Sequence, residues 1–408
     1  MAASEKPEPK REPLDEQQRR ELARIQVGII ADALGRDQVG WDSEDPADFS
    51  YLFRRESVLV RDRDVERVTN YLGDRSRIAD NLVNGLTRLS VAGDQAVPDL
   101  LTELDNAVGI GVATPDHILH VTPGRCCPAT EPEVPVIAHP RPKVSRNSEA
   151  GCGVFVSVVD TGWWEPAATD PISPWLAGVT GDPEVIDTDH IHPYAGHGTF
   201  IAGVIRCEAP KTEIRVEGFL PQGGAIFESD MTVQLCQALA LGPDIISLSA
   251  GSTTREDRPP LSFEVFWENF LSHVKGTVLV AAAGNEGTRA PFWPAAFPWS
   301  VSVGALTPDG KRADFSNYGS WVDVSALGVD MVNAYPRGTF ITHEPPVIGE
   351  VRKFEGLARW SGTSFSTPLV VGKIAARMSK TGLSARLCAN QLLAEARAQS
   401  KPGVGPWL

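Results

Sequence analysis

No apolar run in the chain reaches the roughly 20 residues needed to cross a bilayer as a helix. The first 24 residues also lack the apolar stretch that follows the basic start of a secretory signal. They carry Lys6, Glu8, Lys10, Arg11, Glu12, Asp15, Glu16, Arg19 and Arg20 instead. These absences argue against a membrane partner and give a cytoplasmic address as the expectation. A basic excess is missing too. The net charge is -14, which argues against nucleic acid as the main partner, because a phosphate-binding face needs positive charge. The six cysteines are Cys126, Cys127, Cys152, Cys207, Cys236 and Cys388. They have neither a disulfide-framework spacing nor the paired spacing of a zinc site, so reduced thiols are expected. Cys207 and Cys236 sit in apolar surroundings and read as small core residues.

What is present is a large apolar share, 42% of 408 residues, enough for more than one core. Residues 1–24 read as a charged, solvated tail, with helix expected from Glu16 onward. Residues 25–123 read as a small α+β N-terminal domain. Helices are expected at Ile25 to Leu34, Asp64 to Leu72, Ile78 to Leu89 and Val97 to Val108. Strands are expected at Ser57 to Val60 and Ile118 to Val121. Residues 124–148 form a Pro-rich linker, with Pro128, Pro132, Pro135, Pro140 and Pro142 favouring an extended, exposed course. From 149 to 408 strands and helices alternate. That order predicts an α/β fold with a mostly parallel central sheet and helices on both faces. Expected strands are Val154 to Val159, Ile245 to Leu248, Val278 to Ala282, Val301 to Val303 and Trp321 to Val324. Expected helices follow His197 and cover Ser229 to Leu241, capped by Ser229 or Asp230, then Phe263 to Val274 and Ser366 to Lys380. Ligands bind beyond the carboxyl ends of such strands, where Asp160, Ser249 and Asn285 all fall.

Four short segments carry chemistry. Val-Val-Asp160-Thr-Gly ends a buried strand and offers a carboxylate. Gly-His197-Gly-Thr offers an imidazole flanked by glycines, which allow close backbone approach. Ala-Ala-Ala-Gly-Asn285 offers an amide donor at a strand end. Gly-Thr-Ser364-Phe-Ser-Thr-Pro offers a hydroxyl where a helix begins, among free N–H groups. Carboxylate, imidazole, hydroxyl and amide donor are the parts of serine acyl transfer. Taken singly, each has a plainer reading as a turn Asp, a packing His, a turn Asn or an N-cap Ser.

Together, in the order Asp, His, Ser, they resemble the subtilisin-like (subtilase) serine proteases across about residues 150 to 380. The family departs from this chain at Phe200, where His is more usual, and at Phe365-Ser366, where Met-Ala is common. The resemblance implies a subtilisin-like three-layer α/β fold. It also implies a peptide or protein substrate, a triad of Asp160, His197 and Ser364, and an oxyanion donor at Asn285. Ser249, Ala250 and Gly251 would then line one wall of the pocket for the residue before the scissile bond. Ala282, Ala283 and Gly284 would line the other, and Phe292 at the base would make the pocket shallow. The reaction would need no cofactor. Structural calcium is common in the family, but no loop here matches one. Asp182, Glu184, Asp187, Asp189, His190 and His192 cluster before His197; they read as a solvated acidic loop in preference to a metal site. The N-terminal domain would be an intramolecular inhibitor of prodomain type, a fused regulatory domain or a partner-binding module. The competing readings are a catalytically silent subtilase fold used for binding and an esterase, whose Gly-x-Ser-x-Gly elbow the serine segment does not show.

Overall fold

The computed structural model describes residues 14–92, 95–121, 130–220 and 223–408. Pro123, Cys126, Cys127 and Pro128 lie outside the described residues. The N-terminal unit comprises α1 (Glu16–Leu34), β1 (Val39–Trp41), β2 (Leu52–Arg61), α2 (Val65–Leu72), β3 (Ser76–Val83), β4 (Leu86–Val91), α3 (Val97–Val108) and β5 (Ala113–His120). Helix α1 begins where its cap dictates. Asp15 accepts from the Gln18 N–H at 2.8 Å, and Gln18 accepts from the Asp15 N–H at 3.0 Å, a reciprocal capping box. The helix expected at Ile78 to Leu89 is instead the β3–β4 hairpin. Asn84-Gly85 makes the turn, with Gly85 at φ 98°, and Asn-Gly favours a hairpin over a continuing helix.

The larger unit runs β6 (Phe155–Asp160), β7 (Thr180–Gly181), α4 (His197–Glu208), β8 (Glu213–Gly218), β9 (Ala225–Phe227), α5 (Glu228–Ala240), β10 (Ile245–Leu248), α6 (Leu261–Asn269) and β11 (Val278–Ala282). It continues with β12 (Ser300–Leu306), β13 (Val324–Leu327), β14 (Met331–Ala334), β15 (Gly338–Ile341), β16 (Val351–Phe354), β17 (Leu357–Trp360), α7 (Thr363–Thr381) and α8 (Ala385–Ala398). Seven strands form one sheet in the order β13-β12-β11-β10-β6-β8-β7, and every pair is parallel. The strand alternation builds the layers. Val156, Val158, Val278 and Val280 pack with α4, α7 and α8, while Val159, Ile246, Leu279 and Ala281 pack with α5 and α6. Both faces are therefore buried, as a parallel sheet requires. The strand near Trp321 lies at Val324–Leu327, slightly later than expected.

The two units share a sheet. β9 of the larger unit pairs antiparallel with β5, so the N-terminal sheet runs β3-β4-β2-β5-β9 with β1 on β2. Side chains reinforce the seam. Helix α5 is not capped by its own Ser229 or Asp230. Asp116 of β5 accepts from the Ser229 N–H at 2.9 Å and the Ser229 hydroxyl at 2.8 Å, and it pairs with Arg54 at 2.9 Å. Glu228 accepts from the Ser262 N–H at 2.9 Å, satisfying the start of α6, and meets His117 Nδ1 at 2.5 Å. Burial pushes the Asp116 carboxyl up to about 6, against the pull of Arg54. The connector departs from its expected exposed course. Glu133 pairs with Arg359 and Arg141 with Val332 as isolated antiparallel bridges. Asp116→Ala removes the cap and leaves the mostly buried Arg54 short of a carboxylate. It should lower unfolding stability by about 3 kcal/mol in urea titration, with Asp116→Asn costing less.

Candidate active site

The buried strand β6 ends on Asp160, which is fully inaccessible. Its Oδ1 accepts from the Thr161 N–H at 2.8 Å and meets His197 Nδ1 at 2.7 Å. His197 is the first residue of α4, behind Gly196 at φ 75°. The next glycine is required by contact. A Cβ on Gly198 would lie 2.6 Å from the Gly162 carbonyl oxygen and 3.2 Å from Asp160 Cβ, so only glycine lets the helix reach the aspartate turn. With Nδ1 facing a carboxylate, the neutral ring carries its proton there and leaves Nε2 as an acceptor.

Ser364 is the second residue of α7. Pro368, four residues on, has no N–H, so it cannot engage the Ser364 carbonyl. The Ser249 hydroxyl takes that place, donating to the Ser364 carbonyl at 3.1 Å, and the Ser364 hydroxyl donates to the Ser249 carbonyl at 3.4 Å. Helices α4 and α7 pack together, which sets the residue after Ser364 against the imidazole. The adjacent Phe365 ring stands 5.3 Å from the His197 ring, and Trp360 stands 5.4 Å away on edge. Phe200 and Phe365, the two departures from the usual motifs, touch each other at 4.7 Å between ring centres. Phe200 is fully buried. It packs against Trp360 and Phe365, both of which contact the imidazole.

Asn285 follows β11. Its Oδ1 accepts from the Thr363 N–H at 2.8 Å and the Thr363 hydroxyl at 3.0 Å. Thr363 Oγ1 in turn accepts from the Gly284 N–H at 3.2 Å. With the amide oxygen doubly engaged, the amide NH2 is turned the other way. Ser249, Ala250 and Gly251 follow β10, and Ala282, Ala283 and Gly284 close β11. Phe292 bridges these two walls. A Cβ on Gly251 would lie 2.3 Å from its ring, and one on Gly284 2.8 Å away.

The end of β5 pairs with the backbone at Gly251 and Gly224. The His120 N–H donates to the Gly251 carbonyl at 2.9 Å, and the Gly251 N–H donates to the His120 carbonyl at 3.1 Å. The Val121 N–H donates to the Gly224 carbonyl at 2.9 Å. His197 is 3% exposed and Ser364 2%.

The subtilase family model matches residues 151–396. The chain is 31% identical to thermitase of Thermoactinomyces vulgaris over 58% of this chain and 78% of that protein. It is 29% identical to a thermophilic serine proteinase of Bacillus sp. (strain AK1), over 58% of this chain and 54% of the relative. The chain belongs to the subtilase family of serine endopeptidases. Fervidolysin of Fervidobacterium pennivorans, a keratinolytic enzyme related to subtilisin, shares the fold at TM-score 0.56 and 16% identity. That match covers 87% of this chain and 60% of fervidolysin, so it extends ahead of the region the family model matches.

Two residues of this subtilase escaped the motif reading. Thr363 was passed over as part of the serine segment, although its hydroxyl ties the Asn285 loop to α7. Glu184 was assigned to a solvated loop. Asp187, Asp189 and His190 are indeed exposed, and Asp182 pairs with Arg215 at 2.5 Å. The Glu184 carboxyl instead turns inward, both oxygens lying 3.1 Å from the Gly196 N–H ahead of His197. Burial holds this carboxyl well above the usual carboxylate range; the Gly196 N–H offsets this in part, and the Asp160 charge adds to it. The deviation follows from backbone position, because Glu184 bonds Trp163 beside the aspartate turn, which no local spacing reveals. No helix among the described residues is long and apolar enough to cross a membrane.

A carboxyl with a raised folded pKa contributes fully below its unfolded value of about 4.5, and that contribution is lost as pH rises through the folded value. Glu184→Gln cannot ionise. Its melting temperature should therefore gain on wild type as pH rises from about 5 to about 9. A difference independent of pH would show that Glu184 already ionises in the folded protein as it does in the unfolded chain.

Proposed function

We propose that this subtilase hydrolyses peptide bonds with Ser364 as nucleophile, His197 as general base and acid, Asp160 as the group orienting His197, and Asn285 as oxyanion donor. The observation that carries this reading is the buried 2.7 Å contact between His197 Nδ1 and Asp160, with the His197 ring packed on Phe365, the residue after Ser364 in the first turn of α7. The Ser364 hydroxyl rotates from the Ser249 carbonyl toward His197 Nε2 and gives up its proton there as Oγ attacks the substrate carbonyl. The C–N bond then breaks, and His197 returns the proton to the leaving amine. A water repeats the sequence on the acyl-enzyme. The developing oxyanion is met by the Asn285 amide and the Ser364 N–H, near the positive end of α7. No cofactor takes part in these steps.

The position of Phe292 between the two pocket walls supports a preference for small or medium side chains just before the scissile bond. The His120–Gly251 pairing supports the N-terminal unit as an intramolecular inhibitor, since it uses the edge a substrate would use by β-addition. Labelling with a fluorophosphonate probe tests the nucleophile. Label should appear on wild type, in the intact or connector-cut chain, and vanish in Ser364→Ala. Label that persists in the variant, or is absent from both forms of wild type, would leave the fold as a silent binding scaffold.

Two further outcomes follow. Thr363→Val loses the hydroxyl that orients Asn285, and steady-state kinetics should show kcat down on the order of tenfold with KM nearly unchanged. Phe292→Ala should raise kcat/KM for Leu or Phe relative to Ala at the residue before the scissile bond by about tenfold or more.

A further inference from the structure

The chain pairs with Gly251 as a peptide substrate would, and it is found again beside Ser361, three residues before Ser364. Residues 118–121 lie along β9 and the Ser249–Gly251 wall, which is the acyl side in the proposed reaction. From Thr130 the chain runs along β17. The Thr130 N–H donates to the Ser361 carbonyl at 3.2 Å, and the Trp360 indole N–H donates to the Thr130 carbonyl. Glu133 and Arg359 exchange both backbone bonds, at 2.9 and 2.7 Å, and their side chains form an ion pair. The Arg352 guanidinium donates to the Pro132 carbonyl at 2.9 Å. These contacts are next to the chemistry. Ser361 lies three residues before Ser364, and Trp360 touches the His197 ring. The other edge of β17 is already paired with β14, so this arm takes the remaining edge.

We propose that residues 130–133 form a second inhibitory arm that covers the leaving-group side of the cleft, independently of the His120–Val121 strand on the acyl side. The inference rests on Ser364 being the nucleophile. Its physical basis is strand addition: the Ser361 carbonyl and the Arg359 backbone groups are the polar edge that a peptide continuing past the scissile bond would pair with, and the arm already satisfies them. Chain direction agrees, since the acyl-side segment precedes the arm as it would in a substrate. A cut between residues 121 and 130 leaves the arm covalently on the peptidase unit. Such a cut opens the acyl side alone. Substrates whose leaving group is short can then react, whereas peptides extending beyond the scissile bond must first lift the arm from β17.

The test replaces residues 122–129 of the full chain by the recognition sequence of a site-specific protease and nicks it. The nicked protein is assayed on an acyl p-nitroanilide and on the same acyl peptide extended by several residues beyond the scissile bond. The N-terminal unit, if still bound, lowers both rates alike, so the ratio of the two kcat/KM values is the readout. Thr130→Pro with Glu133→Pro removes two backbone donors and should raise kcat/KM on the extended peptide about tenfold, through KM, with the anilide unchanged. Glu133→Ala, which keeps the backbone intact, should give a smaller shift of the same sign. An unchanged ratio in both variants would overturn the arm. Absence of turnover on both substrates together with absence of probe labelling would instead overturn the reading of Ser364, and the arm with it.

Discussion

The 2.7 Å contact between His197 and Asp160 is the constraint around which the site is assembled. It needs β6 to end at the carboxylate, α4 to start at the imidazole, and nothing bulkier than hydrogen at Gly198, where a Cβ would strike the Gly162 carbonyl. Thr161 and Glu184 supply the remaining ties. The Thr161 hydroxyl accepts from the Gly198 N–H at 3.2 Å, and Glu184 accepts from the Gly196 N–H. Two carboxyl groups thus flank one helix start, and desolvation holds the Glu184 carboxyl toward its neutral form.

A second set of constraints comes from backbone edges. The cleft offers unpaired strand edges at Gly251 and beside Ser361, and the chain's own segments pair with both. Asp160, His197, Asn285 and Ser364, the proposed triad and oxyanion donor, are all buried. Edge pairing explains why the N-terminal unit is joined so closely to the rest. One antiparallel pairing, β5 on β9, continues its sheet into the larger unit, and Asp116 caps a helix of that unit. Leu119 and Val121 pack in the same apolar cluster as Leu248 and Phe263, so the cover is held by burial as well as by hydrogen bonds.

Much of this was legible in the sequence, for identifiable reasons. The parallel strands are short, β-branched and buried on both faces, so β6, β10 and β11 stand out as apolar runs. The glycines around His197 and the Ser-Thr-Pro start of α7 mark positions where local sterics leave little choice. Other features depend on partners distant in sequence. The Asn84-Gly85 turn was overlooked because the apolar spacing of Ile78, Leu82 and Leu89 also suits a helix. The inward turn of Glu184 depends on the Trp163 backbone, and the cap of α5 is Asp116, more than a hundred residues upstream. The small strands β14 to β17 carry no strong periodicity, and β17 gains its second neighbour only from the connector.

The central claim is that a competent serine site lies beneath the chain's own cover. It is tested most directly by the rate at which a fluorophosphonate phosphonylates Ser364, with loss of fluoride, before and after a cut between residues 121 and 130. Labelling should be slow in the intact chain and markedly faster after the cut, confined by peptide mapping to Ser364. Equal rates before and after, or label at another residue, would contradict it.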